Sequence, residues 1–298
     1  MSKLVTIIGG TGFVGRAITQ QAAAAGWSVR VAARSAQGGL SEGIERVSCD
    51  IRSDSEVEAA LEGADAVVNC VGILAPGAGG GFDELQAEGA TRVARIAAAG
   101  KVGRIVQISS IGADEASASN YSRTKALGEA GVLAHMPDAM ILRPSIIFGP
   151  EDSFFNRFAD LSKLSPFVPV VGAETRFQPV FVGDVAAAAI VGLTQGKGGI
   201  YELGGPDTES FAALMHRMLA QLGRKRLVLP LPGAIGALMG VGFETLSKMS
   251  GGRIEPQITR DQVKNLGKDN VVSGAYPGLA DLGIAPTPMV DVLPGYLT

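Results

Sequence analysis

Leu4-Val5-Thr6-Ile7-Ile8-Gly9-Gly10-Thr11-Gly12-Phe13-Val14-Gly15-Arg16 lies at the very start of the chain, and its reading decides the rest. The first five residues are nearly continuous in apolar side chains, which predicts a strand buried on both faces. Glycines then stand at positions 9, 10, 12 and 15, and an Ala-rich run from Phe13 to Ala25 predicts a helix. Glycine tolerates positive φ and lets backbone come close to a ligand where a Cβ would intrude. The start of a helix offers free N–H groups and a partial positive charge, which suit a diphosphate. An isolated glycine pattern is weak evidence, since an ordinary tight turn could show it. Between a strand and a helix it reads as a dinucleotide fingerprint. Gly9, Thr11, Gly12, Phe13, Val14 and Gly15 are therefore candidate cofactor-binding residues.

Outward from this unit the rhythm repeats. Short apolar runs at Ser28–Ala33, Glu45–Cys49, Ala66–Val71, Arg104–Ile108 and Ala139–Leu142 predict strands, the last stopped by Pro144. Helices are predicted at Ser55–Glu62, Phe82–Ala99 and Ser119–His135, and later at Asp184–Thr194 and Phe211–Leu222. Alternating strands and helices predict an α/β class: a Rossmann-type, doubly wound parallel sheet. A smaller C-terminal α/β lobe is expected over the sheet's C-terminal edge. The expected division is 1–150 for the nucleotide-binding part and 151–298 for the lobe, the two interleaved. Ala75–Gly81 reads as a flexible loop beside the cofactor.

Composition narrows the classes. A hydrophobic fraction of 46% over 298 residues supports a large core rather than disorder. A net charge of -3 gains little from counterion release, so no nucleic-acid partner is expected. Cys49 and Cys70 sit at the ends of apolar runs, which suits a reducing compartment, and no metal site is expected from scattered Cys and His. The sequence shows neither a signal-peptide pattern nor a transit-peptide pattern before the first strand. The expected location is cytoplasmic, or peripheral on the inner face of the cytoplasmic membrane. Pro232–Met249 is apolar but interrupted by glycines, Glu244 and Lys248. It reads first as a buried lobe helix, and second as a membrane-surface or partner-binding helix.

The end of the second strand addresses the choice of cofactor. NAD sites place an acid there for the ribose hydroxyls. This chain has Ala32-Ala33-Arg34-Ser35, with no acid before Glu42. Arg34 suits a 2′-phosphate, with Arg16 as a second cation. A charge-assisted hydrogen bond of roughly 1.5–3 kcal/mol would favour NADPH about 10- to 100-fold. Asp50-Ile51, Val71-Gly72 and Arg143-Pro144-Ser145 end later strands and are candidates for the adenine, ribose and nicotinamide ends.

Tyr121-Ser122-Arg123-Thr124-Lys125 places a phenol and an ammonium on one helix face. A lysine can orient a ribose and lower a tyrosine's pKa, and the tyrosine can then exchange a proton with a carbonyl. Ser109 and Ser110 after the fifth strand are candidates for a third member. The offset leaves open whether that position coincides with Ile111 instead. Tyr121, Lys125 and Ser110 are the catalytic candidates, and Ser109, Tyr121 and Lys125 are also cofactor contacts.

Together these motifs resemble the extended and atypical branch of the short-chain dehydrogenase/reductase superfamily. Pro179-Val180-Phe181-Val182-Gly183-Asp184-Val185-Ala186 resembles a segment of its epimerase-like members, and Asp184 could cap the helix there. A narrower resemblance, to the alpha-subcomplex subunit nine family of respiratory complex I, rests on three stretches. They are Leu142 to Phe158, Ile258-Thr259-Arg260-Asp261-Gln262-Val263 continuing to Lys268-Asp269-Asn270-Val271-Val272, and Leu279 to Thr287. That family implies tightly held NADPH outside the electron-transfer chain. It also implies complex I partners near the quinone site, at the membrane surface. Two other functions remain open. One is an active NAD(P)-dependent oxidoreductase or epimerase/dehydratase on a small carbonyl or nucleotide-sugar substrate. The other is an NADPH redox-sensing regulator.

Overall fold

The computed structural model describes residues 2–35, 43–77, 79–250 and 258–298. Glu42, part of Ala75–Gly81 and the segment 251–257 therefore include positions outside the described residues. The strands are β1 Leu4–Ile8, β2 Ser28–Ala33, β3 Glu45–Ser48, β4 Ala66–Asn69, β5 Arg104–Ile108, β6 Met140–Pro144, β7 Ile147–Phe148, β8 Phe167–Val171, β9 Arg176–Phe177, β10 Val180–Phe181, β11 Gly199–Leu203, β12 Glu209–Ser210 and β13 Leu227–Leu231. The helices are α1 Phe13–Ala24, α2 Asp54–Leu61, α3 Gly89–Ala99, α4 Asn120–His135, α5 Phe155–Leu164, α6 Val182–Gln195, α7 Phe211–Gln221, α8 Gly233–Met249, α9 Arg260–Asn265 and α10 Met289–Val292.

Seven strands form one sheet in the order β11-β6-β5-β4-β1-β2-β3, every pair parallel. The side-chain alternation of a strand sends Ile7 and Ile8 to opposite faces. Val5, Ile7, Val31 and Val106 pack with Ile18 of α1 and Val185 and Leu193 of α6. Ile8, Ala32, Val67 and Ile141 pack with Val57 of α2, Val93 of α3 and Val132 of α4. Because both faces are covered, the strands read as unbroken apolar runs. Strand order reverses between β1 and β4, so a crevice opens at the C-terminal ends of these two strands, where such sheets take ligands.

A third core sits in the lobe. Phe148, Phe155, Phe177 and Phe211 pack with Met215 and Leu214, and Phe154 stacks on Phe211 at 5.5 Å. Phe154, Phe155 and Phe158 are thus packing residues of this cluster.

Several expectations are corrected. β11 is not evident in the sequence, where Glu202 interrupts the apolar pattern; in the fold that buried carboxylate accepts from the backbone N–H (2.6 Å) and hydroxyl (2.7 Å) of Ser273. Residues Asp83–Glu88 form a π-helical turn before α3 rather than its first α-turns. Asp184 does not cap α6: the helix starts earlier, after Phe181, and Asp184 accepts from the backbone N–H and hydroxyl of Thr287 at 2.7 and 2.8 Å. The reading of α8 as a buried helix fails, because Leu238 is 73% and Met249 82% exposed, with Ile235, Val241 and Leu246 also bare. Its buried side includes Gly236, close against Val171, and Gly240, close against Arg260, while Ile235, Leu238, Val241, Leu246 and Met249 face outward.

Candidate functional site

The glycine loop closes the crevice between β1 and α1. Gly9 takes φ +79, a conformation that L side chains rarely adopt. Gly15 is fixed by contact instead: a Cβ there would lie 2.3 Å from the Gly9 carbonyl oxygen and 2.6 Å from the Gly10 Cα. Gly12 is the N-cap of α1, without a side chain to cap it, and the first turn of α1 carries no acid. The helix's leading N–H groups and positive pole therefore face the crevice uncompensated. That arrangement fits a bound diphosphate.

Arg34 leaves the end of β2, exposed, and donates to the Gly79 carbonyl at 3.2 Å. Gly77 and Gly80 exchange two backbone hydrogen bonds, so the Gly-rich loop folds back on itself beside this arginine. Arg16 is held elsewhere: it donates to the Thr11 carbonyl and pairs with Glu151, which commits it to the glycine loop. Asp50 is bracketed by Arg52, whose backbone N–H and Nε reach it at 3.0 and 2.9 Å. The Arg52 hydrogen bonds hold the Asp50 carboxyl down at about 2, so it remains an ionised acceptor. Ile51 is buried beneath it in the second core.

At the end of β4, Asn69 links to Gln107 of β5 (2.9 Å) and accepts from the Val71 N–H (3.1 Å), turning the chain toward Gly72. A Cβ on Gly72 would stand 2.9 Å from Lys125 Nζ, so this glycine is what lets the ammonium reach the crevice. Gln86 was not singled out from the sequence. Its amide donates to Thr124, while its buried Oε1 has no hydrogen-bond partner among the described residues. It lies near the same Gly72 position.

Tyr121 and Lys125 share a face of α4, with the ammonium 6.0 Å from the phenol ring centroid. Lys125 is buried and donates to the Ile108 carbonyl at 3.2 Å. Desolvation pulls it down to about 8, although Glu129 opposes the shift. Burial pushes the Tyr121 phenol upward, partly offset by the Ser110 hydroxyl beside it. Ser110 Oγ is buried, and the Tyr121 phenol is its neighbour. Ser109 instead donates to Glu129, which resolves the offset: Ser110, not Ser109, faces the tyrosine. Ile111 points into packing, its N–H bonded to the Pro144 carbonyl at 3.0 Å.

Glu129 was also missed, although Tyr121, Lys125 and Glu129 recur every four residues on one helix face, a spacing that could have found it. It is buried and receives Arg143 through Nε at 2.9 Å and Nη2 at 2.5 Å. Arg143 in turn lies 5.0 Å from the Tyr276 ring centroid. Ser145 is tied to Asn270, donating to its side-chain oxygen at 2.8 Å. Arg143 and Ser145 are thus held at the end of β6, Arg143 by the buried Glu129 and Ser145 by Asn270. Gln86 Oε1 and the Lys125 ammonium lie together at Gly72, and Ser110 lies beside Tyr121.

The sequence pattern of the NAD dependent epimerase/dehydratase family matches residues 5–204. The chain belongs to that family. Binding of a nicotinamide dinucleotide is typical of it. Among curated relatives, the mitochondrial NADH dehydrogenase alpha-subcomplex subunit 9 of Arabidopsis thaliana is 32% identical over 95% of this chain and 74% of its own length. A ceramide reductase of Caulobacter vibrioides is 31% identical over 78% of this chain and 76% of its own length. Among solved structures, gox2253 superposes with a TM-score of 0.73 at 23% identity, over 99% of this chain and 97% of that one. No described helix is long and apolar enough to cross a membrane.

Proposed function

We propose that this protein holds NADPH, without turnover, as an accessory or assembly subunit of a respiratory complex I. The observation that carries the choice of NADPH is Arg34, exposed at the end of β2, a strand that carries no acid, with Asp50 at the end of the neighbouring β3 within reach of its charge. The relation to subunit 9 proteins over nearly the whole chain supports the partner. The outward apolar stripe of α8 supports docking, since a monomer rarely leaves such a row of large side chains bare. Its occupant in this reading is an apolar face of a complex I subunit near the quinone site, with the membrane surface alongside.

Arg34→Ala should weaken NADPH about 10- to 100-fold and leave NADH little changed. Equal loss of both would remove the 2′-phosphate assignment. Affinity capture from solubilised membranes of the source organism should co-purify complex I subunits. Their absence, with vesicles of anionic lipid binding the protein equally well, would transfer the α8 face from a protein partner to the bilayer.

A second reading is favoured by one observation, the buried Ser110 hydroxyl set beside the Tyr121 phenol. The protein would then be an NADPH-dependent reductase of a lipophilic carbonyl, in line with the likeness to a ceramide reductase. The cofactor's contribution there would be hydride donation to the carbonyl carbon. Tyr121 would give its proton to the carbonyl oxygen, Ser110 would hold that oxygen, and Lys125 would orient the ribose. Robust turnover abolished by Tyr121→Phe would establish this reading over the first.

A further inference from the structure

The stretch Thr259-Arg260-Asp261-Gln262 has no place in the crevice as described, yet it reaches the crevice's catalytic helix. Asp261, in the first turn of α9, accepts from the backbone N–H groups of Asn120 at 2.7 Å and Tyr121 at 3.0 Å. It also accepts from the Ser119 hydroxyl at 2.8 Å. These belong to the N-cap and first residues of α4, whose leading N–H groups have no partner inside the helix. A carboxylate is the group a helix start favours most.

The rest of α9 tightens the hold. Lys264 donates to the Ala118 carbonyl at 3.0 Å, and Asn265 accepts from the Ser122 hydroxyl at 3.2 Å. Spaced i, i+3 and i+4, these three side chains clamp residues 118–122 from one helix face. Gln262 completes a capping box with Thr259 and donates to the Leu74 carbonyl at 3.2 Å, in the loop that follows Gly72. Arg260 pairs with Glu244 of α8 at 2.9 Å. The turn that carries the phenol is therefore fixed by a residue 140 positions downstream.

We propose that Asp261 is a positioning residue: by fixing the first turn of α4 it sets Tyr121 against Ser110 and the ribose end of the crevice. It makes α9 the link between the docking face of α8 and the cofactor. The proposal deepens the reading above and rests on it for its affinity arm. A second arm needs no nucleotide.

Asp261→Asn turns an N–H toward donors that need an acceptor. It should raise the NADPH Kd about 10-fold, the scale of losing a helix N-cap. Combined with Tyr121→Phe, it should add less than about twofold, because its effect runs through the tyrosine. Asp261→Glu should recover most of the affinity. In protein without added nucleotide, and at 1 M salt to screen the lost Asp261 charge, the Tyr121 phenol, read as the absorbance difference from Tyr121→Phe, should titrate lower in Asp261→Asn as the turn loosens. If Asp261→Asn does not fold, Asp261→Ser is read in the same cycle. Losses that multiply in the double variant, or an unmoved phenol titration, would overturn the proposal and leave Asp261 a structural cap. If the parent binds no nucleotide, the cofactor reading falls and the titration alone decides the role of Asp261.

Discussion

Replacing Lys125 by methionine should make the nucleotide-free protein more stable while removing its grip on cofactor. The ammonium is buried, its hydrogen bond to the chain goes to the Ile108 carbonyl, and desolvation outweighs Glu129 to bring it down to about 8 from 10.5. The gap corresponds to about 3 kcal/mol carried by the native state at pH 7. Methionine fills a similar volume without that cost but forfeits the Ile108 contact, about 1 kcal/mol. The net gain is about 2 kcal/mol, a rise of several degrees in Tm. The pH dependence has a definite sign. A base whose native pKa lies below its unfolded one leaves the unfolded state holding more protons between those values, so the parent gains stability from about pH 8 to 10.5. Below that window the full cost is present. Urea unfolding of both proteins at pH 7 and pH 10 measures it: the variant's advantage should be largest at pH 7 and shrink by pH 10. A variant no more stable at pH 7, or an advantage constant with pH, would refute the claim that desolvation dominates at this lysine.

Two more expectations follow from the geometry. Gly15→Ala must push the loop off the Gly9 carbonyl, 2.3 Å from its new methyl; it should cost about 1–3 kcal/mol in urea unfolding and abolish dinucleotide binding. A parent-like midpoint would show that the loop yields freely. Burial pushes the Cys49 thiol up to about 11 and the Cys70 thiol up to about 12. Iodoacetamide at pH 8 should therefore leave both unmodified in the native protein and label both in urea, as mass spectrometry reads directly. Fast native labelling of Cys70 would contradict its surroundings.

Much of the sheet was legible because its strands are covered on both faces and so read as apolar runs bounded by glycine and proline. The same rule hid β11. Its Glu202 is hydrogen-bonded by Ser273, seventy-one positions away, and no local pattern announces such a partner. The glycine loop and the Tyr121–Lys125 pair were visible because their chemistry depends on local spacing. The choice between Ser109 and Ser110 was not, since Glu129 decides it by taking the former. Asp261 was legible as part of a family stretch but not as a cap, because the helix it caps lies in the other lobe. In α8 the apolar count suggested burial, whereas glycines on the inner side and large residues on the outer reverse the usual arrangement.

The lateness of β11 bears on how the chain is made. Until Leu203 has left the ribosome, about two-thirds of the sequence, Met140, Ile141 and Leu142 of β6 form an unpaired rim with bare backbone donors and acceptors. A nascent chain halted at residue 150 is thus a sticky intermediate rather than a finished unit. Chaperones would find their footing at that rim, and an expression clone cut there should end in inclusion bodies.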